Sequence, residues 1–193
     1  MDDLSRRLQG ARVDHRLYAD DLTLVASGPN RQAQLQRGLD IISEWCKEFF
    51  MEGNVSKTEY ADFKARKVDP LALYLHGVKL RCVRTPKLLG VTLNHSSGFS
   101  DHADARKRSS APSLLKIAAV GNTAWGACTP TLRCFYLATV ESSLLYACPA
   151  WWGAMSRSCL EHLSSVQAKG ARGVAGLPAT ASNQDALPEA DLE

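Results

Sequence analysis

His15-Arg16-Leu17-Tyr18-Ala19-Asp20-Asp21-Leu22-Thr23-Leu24-Val25 places two adjacent acids between two β-prone runs. The pattern predicts a hairpin with Ala19, Asp20 and Asp21 at its tip. A carboxylate pair on a tight turn has few local partners to neutralise it, and oxygen ligands of this kind hold hard divalent cations. An isolated acidic turn is more often simply solvated, so the segments on either side decide what this one means.

Upstream, Met1 to Arg12 carries Asp2, Asp3, Arg6, Arg7 and Arg12 and reads as a short helix ending at Gly10. Downstream, Ser27-Gly28-Pro29-Asn30 is a turn. Leu35, Leu39, Ile42, Trp45 and Phe49 then recur at steps of three and four, which predicts an amphipathic helix from Gln32 to Phe50, closed by Gly53. Asn54-Val55-Ser56-Lys57-Thr58-Glu59 leads into a β-prone run to Phe63, and Arg66 to Pro70 is a polar connector. Leu71 to Leu75 and Val78 to Leu80 flank His76-Gly77, a second hairpin. Thr85-Pro86-Lys87-Leu88-Leu89-Gly90-Val91-Thr92-Leu93 is a further strand, in which Gly90 admits a close approach by another backbone.

Asn94 to Ser100 is rich in turn formers and marks the expected domain boundary. Beyond it the pattern is helical. Asp101 to Val120 carries the cluster Arg106, Lys107 and Arg108, and Pro112 is expected to kink or split it. Pro130 to Tyr146 has helical spacing, with Thr129 as cap and Pro130 in the first turn. Arg157 to Ala175 is a third helix, terminated by Gly173, Gly176 and Pro178. The last fifteen residues are small, polar and acidic, and predict a flexible tail.

The 193 residues suffice for one sizeable domain or two small ones, and 45% are hydrophobic. A net charge of +3 says little about a nucleic-acid partner. Six cysteines stand apart without a CxxC pair and predict reduced, mostly buried thiols. Cys159 and His162 have ligand-like spacing, but no second pair supports zinc, so packing is the expected role. No apolar run reaches the length of a membrane span.

Tyr18-Ala19-Asp20-Asp21 between apolar strands, the following helix and the Asn54 to Glu59 segment resemble, in order and spacing, the reverse transcriptases of non-LTR retrotransposons. The Leu89-Gly90 strand, the Gly98-Phe99-Ser100-Asp101-His102 stretch and the Tyr146 to Trp151 stretch resemble elements of the ingi and jockey type. The resemblance implies an α+β fold. Residues 1–94 would be a partial polymerase palm, 95–178 a helical thumb or connection region, and 179–193 the tail. It implies magnesium held by Asp20 and Asp21, with Asp20 the more direct ligand. Tyr18 and Ala19 would line the nucleotide site, and Lys57 would lie near the phosphates of the dNTP. Leu89 and Gly90 would form part of a primer grip. Arg106, Lys107 and Arg108 would bind an RNA template with its DNA primer, in a nuclear setting. His102 by itself reads as a surface histidine or a partner at a helix start. The family's further catalytic aspartate and its Pro-Gln-Gly segment have no counterpart in these residues. The chain is therefore expected to be a fragment that is inactive alone. The competing reading is a non-catalytic helical remnant that binds nucleic acid or protein. Oligomeric state cannot be read from the sequence.

Overall fold

The computed structural model describes residues 1–63, 71–94, 98–121 and 126–192. The connector expected at Arg66 to Pro70 and part of the turn after Asn94 lie outside them. The chain forms two compact units, Met1–Pro86 and Lys87–Glu193. The division falls before the expected boundary at residue 94, so the Leu89-Gly90 segment belongs with the helices.

In the first unit, α1 (Asp2–Gly10) buries Leu4 and Leu8. It ends as the Val13 amide reaches the Leu8 carbonyl at 3.0 Å, with Arg12 in the left-handed region. The strands β1 (Asp14–Tyr18) and β2 (Asp21–Val25) pair antiparallel, Tyr18 opposite Asp21. His15 and Leu17 turn inward, while Asp14, Arg16 and Tyr18 face solvent. Among the described residues β1 pairs only with β2, so its other edge is open. The helix α2 (Arg31–Glu48) packs against the hairpin through Gly38, where an added Cβ would stand 2.8 Å from Leu24 Cδ1.

Leu4, Leu8, Val13, Trp45 and Cys46 form one core, with Leu22 and Leu24 of the hairpin packed against it. Leu39, Tyr60, Leu73, Leu75 and Leu80 form a second. The expected stop at Gly53 comes earlier. The Met51 amide donates to the Cys46 carbonyl at 2.8 Å, and Phe50 takes the left-handed position at φ 51° that glycine usually fills. Short strands complete the unit. β3 (Glu59–Tyr60) runs parallel to β6 (Arg81–Cys82), and β4 (Tyr74–Leu75) pairs antiparallel with β5 (Val78–Lys79) across the expected His76-Gly77 turn.

The second unit opens with the hairpin β7 (Lys87–Leu88) and β8 (Val91–Thr92). The helix α3 (Ser100–Val120) runs unbroken through Pro112. The expected split does not occur because Arg108 and Pro112 both lie on the exposed face, where solvent satisfies the carbonyl that proline leaves unpaired. Then come α4 (Thr129–Tyr136), a π-helical turn at Leu137–Glu141 and the single turn α5 (Ser142–Leu144). The N-cap of α4 is Cys128, one residue before the expected Thr129. After α6 (Cys148–Trp151), α7 spans Arg157–Ala175, as its periodicity predicts, between a Ser156 cap and a left-handed Gly176.

Ile117, Tyr136, Val140, Trp151, Ala171 and Val174 form the centre of this unit's core. The tail is not loose. It folds as α8 (Asn183–Glu189) and buries Ala186, Ala190 and Leu192 in the same core. Arg172 donates to Asn183 Oδ1 at 2.6 Å and Arg133 to the Asp191 carbonyl at 2.6 Å, fastening both ends of the segment. The expectation of mostly buried thiols is also corrected. All six cysteines are free, but only Cys46 is buried, and Cys128 and Cys134 are exposed.

Candidate functional site

The β1–β2 hairpin places the acidic pair on a two-residue turn, Ala19-Asp20, with Asp21 at the start of β2. Ala19 sits at φ 53°. A left-handed conformation costs a residue with a Cβ about 1–2 kcal/mol, so this tip is held strained by the strands behind it. Tyr18, Ala19, Asp20 and Asp21 are all exposed, Tyr18 by 67%. Asp21 lies opposite Tyr18 on the ladder, while Asp20 is the second residue of the turn, so the two acids occupy different backbone positions. The hairpin is supported from both flanks. Leu24 packs on Gly38 of α2, and on α1 the Ser5 hydroxyl lies 2.8 Å from His15 Nε2 while His15 Nδ1 meets the Val13 carbonyl at 3.0 Å.

Lys57 lies on a turn built by Asn54. The Asn54 side-chain oxygen accepts from the Lys57 amide at 3.1 Å and from Ser56 Oγ at 2.7 Å, and its carbonyl accepts from the Thr58 hydroxyl at 2.8 Å. These bonds account for Asn54 and Thr58 in the segment, whereas Lys57 contributes only its backbone amide. The Lys57 side chain is exposed.

The fit to magnesium is testable on the donor set. A two-metal site needs more carboxylate oxygens than one adjacent pair supplies. Among the described residues no three His, Cys, Asp or Glu side chains are grouped so as to hold a metal ion. Among the described residues Asp20 and Asp21 therefore stand as a pair without a third such ligand grouped beside them.

In the helical unit Leu89 and Gly90 form the two-residue turn of the β7–β8 hairpin, at φ 45° and 81°. The expectation of a continuous strand is corrected here to a hairpin tip. The close approach expected at Gly90 is real, but the neighbour is a side chain: an added Cβ would lie 2.8 Å from Tyr146 Cε1. The Tyr146 hydroxyl donates to the Leu89 carbonyl at 3.0 Å, and the Trp151 indole donates to the Tyr146 carbonyl at 2.8 Å.

His102 is fully buried, not a surface histidine. Its Nδ1 accepts from the Thr92 amide at 3.2 Å, and its ring lies 5.5 Å from that of Trp151. Burial pushes its pKa down from the ordinary value, and the Arg106 and Lys87 cations push the same way. The sequence reading singled out the stretches that hold His102, Tyr146 and Trp151, but not that they converge on one hairpin.

The basic cluster does not form one patch. Successive helical residues point about 100° apart. Arg106 turns inward, with its guanidinium 5.7 Å from the centre of the Tyr146 ring and its Nε buried. Lys107 and Arg108 remain exposed.

Compared with known proteins, the chain is similar to the putative 115 kDa protein in type-1 retrotransposable element R1DM of Drosophila melanogaster. The two are 26% identical over 155 residues, covering 79% of this chain and 15% of that protein. The chain thus spans a small part of its relative's length. No protein-family model matches it, and no solved structure matches it. The similarity points to a retrotransposon-related origin. Among the described residues no helix is long and apolar enough to cross a membrane.

Proposed function

We propose that the chain is a reverse-transcriptase segment of a non-LTR retrotransposon, in which residues 1–86 carry the palm hairpin and residues 87–192 act as the primer-handling helical part. The observation that carries this reading is the Tyr18-Ala19-Asp20-Asp21 tip. It is an antiparallel hairpin turn, strained at Ala19, buttressed by two helices and presenting both acids to solvent. The similarity to a retrotransposon protein supports the setting. RNA template, DNA primer and dNTP are the partners this reading supplies, with Lys57 toward the nucleotide and the Leu89-Gly90 tip toward the primer. Magnesium would sit on Asp20 and Asp21 and assist phosphoryl transfer only where further carboxylates join them.

Paramagnetic broadening by Mn2+ tests the tip directly. Amide signals of Tyr18 to Leu22 are expected to broaden at millimolar metal, the range of weak oxygen sites. Asp20→Asn with Asp21→Asn should remove the effect. Broadening that persists in the double variant, or none in the unaltered chain, refutes the assignment.

Among the described residues the carboxylate set is incomplete, which gives weight to a second reading, a non-catalytic nucleic-acid-binding remnant. Primer extension on an RNA template tests that incompleteness. These 193 residues should extend no primer, and extension lost on Asp20→Ala would show that the set is completed after all.

A further inference from the structure

The β7–β8 hairpin has two residues per strand, and among the described residues it pairs with no other strand. A ribbon of that size does not hold its own conformation in water. Yet its tip is left-handed at both turn residues and presents Leu88 and Leu89, 39% and 43% exposed. Its conformation must come from what grips it.

Besides its own Val91, buried in the core of this unit, two side chains of the helical unit do so, one at each end. At the base, His102 in the first turn of α3 accepts the Thr92 amide. At the tip, Tyr146 lays its ring where a Gly90 side chain would be and bonds the Leu89 carbonyl. Tyr146 is itself fixed. Its carbonyl is bonded by Trp151, Arg106 lies over its ring, and the next residue, Ala147, is left-handed at φ 54°. Trp151, wholly buried, touches both His102 and Tyr146 and ties the two grips together. A half-exposed tyrosine spending its hydroxyl on a turn carbonyl is poorly explained as core filling, because Tyr146 remains 48% exposed.

We infer that Tyr146 and His102 are positioning residues that lock the Leu89-Gly90 tip to the helical unit, so that the tip meets the primer strand as a rigid part of that unit. This rests on the primer-handling role proposed above. The tip then follows the helices wherever they move, and the primer contact is set by an aromatic latch rather than by sheet pairing.

The test uses the full chain with a benzophenone amino acid at Leu88 and an RNA–DNA hybrid duplex labelled on the primer strand. Three quantities are read: crosslink yield to the primer, affinity by fluorescence anisotropy, and thermal unfolding. Tyr146→Phe keeps the ring and removes only the hydroxyl. It should cut the crosslink yield about fivefold, the factor expected for loss of one ordinary hydrogen bond, with affinity unchanged and the melting temperature lowered by no more than the roughly 4–8 °C that one such bond accounts for. His102→Gln retains an acceptor for the Thr92 amide and should lose less yield than His102→Leu. Equal yield from the unaltered chain and Tyr146→Phe overturns the inference and leaves the functional reading standing. Hybrid binding without any crosslink from position 88 overturns it as well, because the tip then faces elsewhere. No hybrid binding by the unaltered chain refutes the primer-handling reading and the inference with it. Should Tyr146→Phe melt early, the yields are compared at a temperature well below its transition, where an undiminished yield still overturns the inference.

Discussion

Gly170→Ala in the middle of α7 sets two effects against each other. In an exposed helix interior the change stabilises by about 1 kcal/mol, because alanine loses less backbone freedom on folding. Here the new Cβ would stand 2.1 Å from Tyr136 Cε2 and 2.7 Å from Cδ2. Carbon atoms rest at about 3.5–4.0 Å, so the ring or the helix must give way by more than an ångström. The ring has nowhere to go, since Tyr136 is fully buried among Ile117, Val140 and Val174. Overpacking of this kind costs about 1–3 kcal/mol, occasionally more. A displacement of more than an ångström places the cost at the upper end, about 3 kcal/mol, so the steric term wins and a net loss of about 2 kcal/mol follows. For a unit of this size that lowers the melting temperature by roughly 5–15 °C. Urea titration followed by circular dichroism reads the change. In a Tyr136→Leu background the clash disappears, and Gly170→Ala should become neutral or stabilising, a coupling that a double-mutant cycle isolates. A Gly170→Ala variant as stable as the parent would show that α7 does not sit on Tyr136 as described.

Three further expectations follow from other parts of the chain. His102 has a depressed pKa in the folded state, so the unfolded chain binds its proton first; the helical unit should lose stability as pH falls below about 6.5, and His102→Gln should flatten that dependence in pH-resolved melts, whereas an unchanged slope would absolve this histidine. Lys107→Ala with Arg108→Ala should reduce the salt dependence of hybrid binding by about two counterions; Arg106→Ala should instead lower stability, because its guanidinium packs on Tyr146, and a salt slope altered by Arg106 alone would reverse these roles. Leu192→Ala should cost about 2 kcal/mol as a buried leucine truncation, where a frayed tail would show no change in the melt.

The elements most legible in the sequence were those with strong periodicity and a chemical stop. The helix α7 has apolar residues at regular helical steps, a serine cap and a terminal glycine, and its limits could be read directly. The Tyr18 to Asp21 and His76-Gly77 turns were legible because apolar runs bracket polar or glycine pairs. What failed was whatever depended on distant partners. The left-handed position of Phe50 comes with the Met51 amide bond to the Cys46 carbonyl that closes α2, and that of Leu89 with the Tyr146 bond to its carbonyl, both against the residues' own preference. The tail looked disordered by composition, yet small residues such as Ala186 and Ala190 are what lets α8 lie close on α7. At the candidate site, the identity of the acidic pair was plain. The convergence of His102, Tyr146, Trp151 and Gly90 was not, because residues far apart in sequence meet only after α3, α5 and α6 have packed.

Among the described residues the outer edge of β1 pairs with no strand, and Arg16 donates to the His15 carbonyl at 2.7 Å, a bond it exchanges when a second copy pairs there. Two copies meeting edge to edge, antiparallel and centred on His15, set Asp14 of each opposite Arg16 of the other. That charge order invites pairing instead of preventing it. Association should therefore rise with protein concentration and weaken with added salt. Arg16→Asp, which faces acid with acid across the same line, should return a monomer by sedimentation, and dimers that survive it would have formed elsewhere. A worker preparing this protein should fix concentration and ionic strength before interpreting any binding curve.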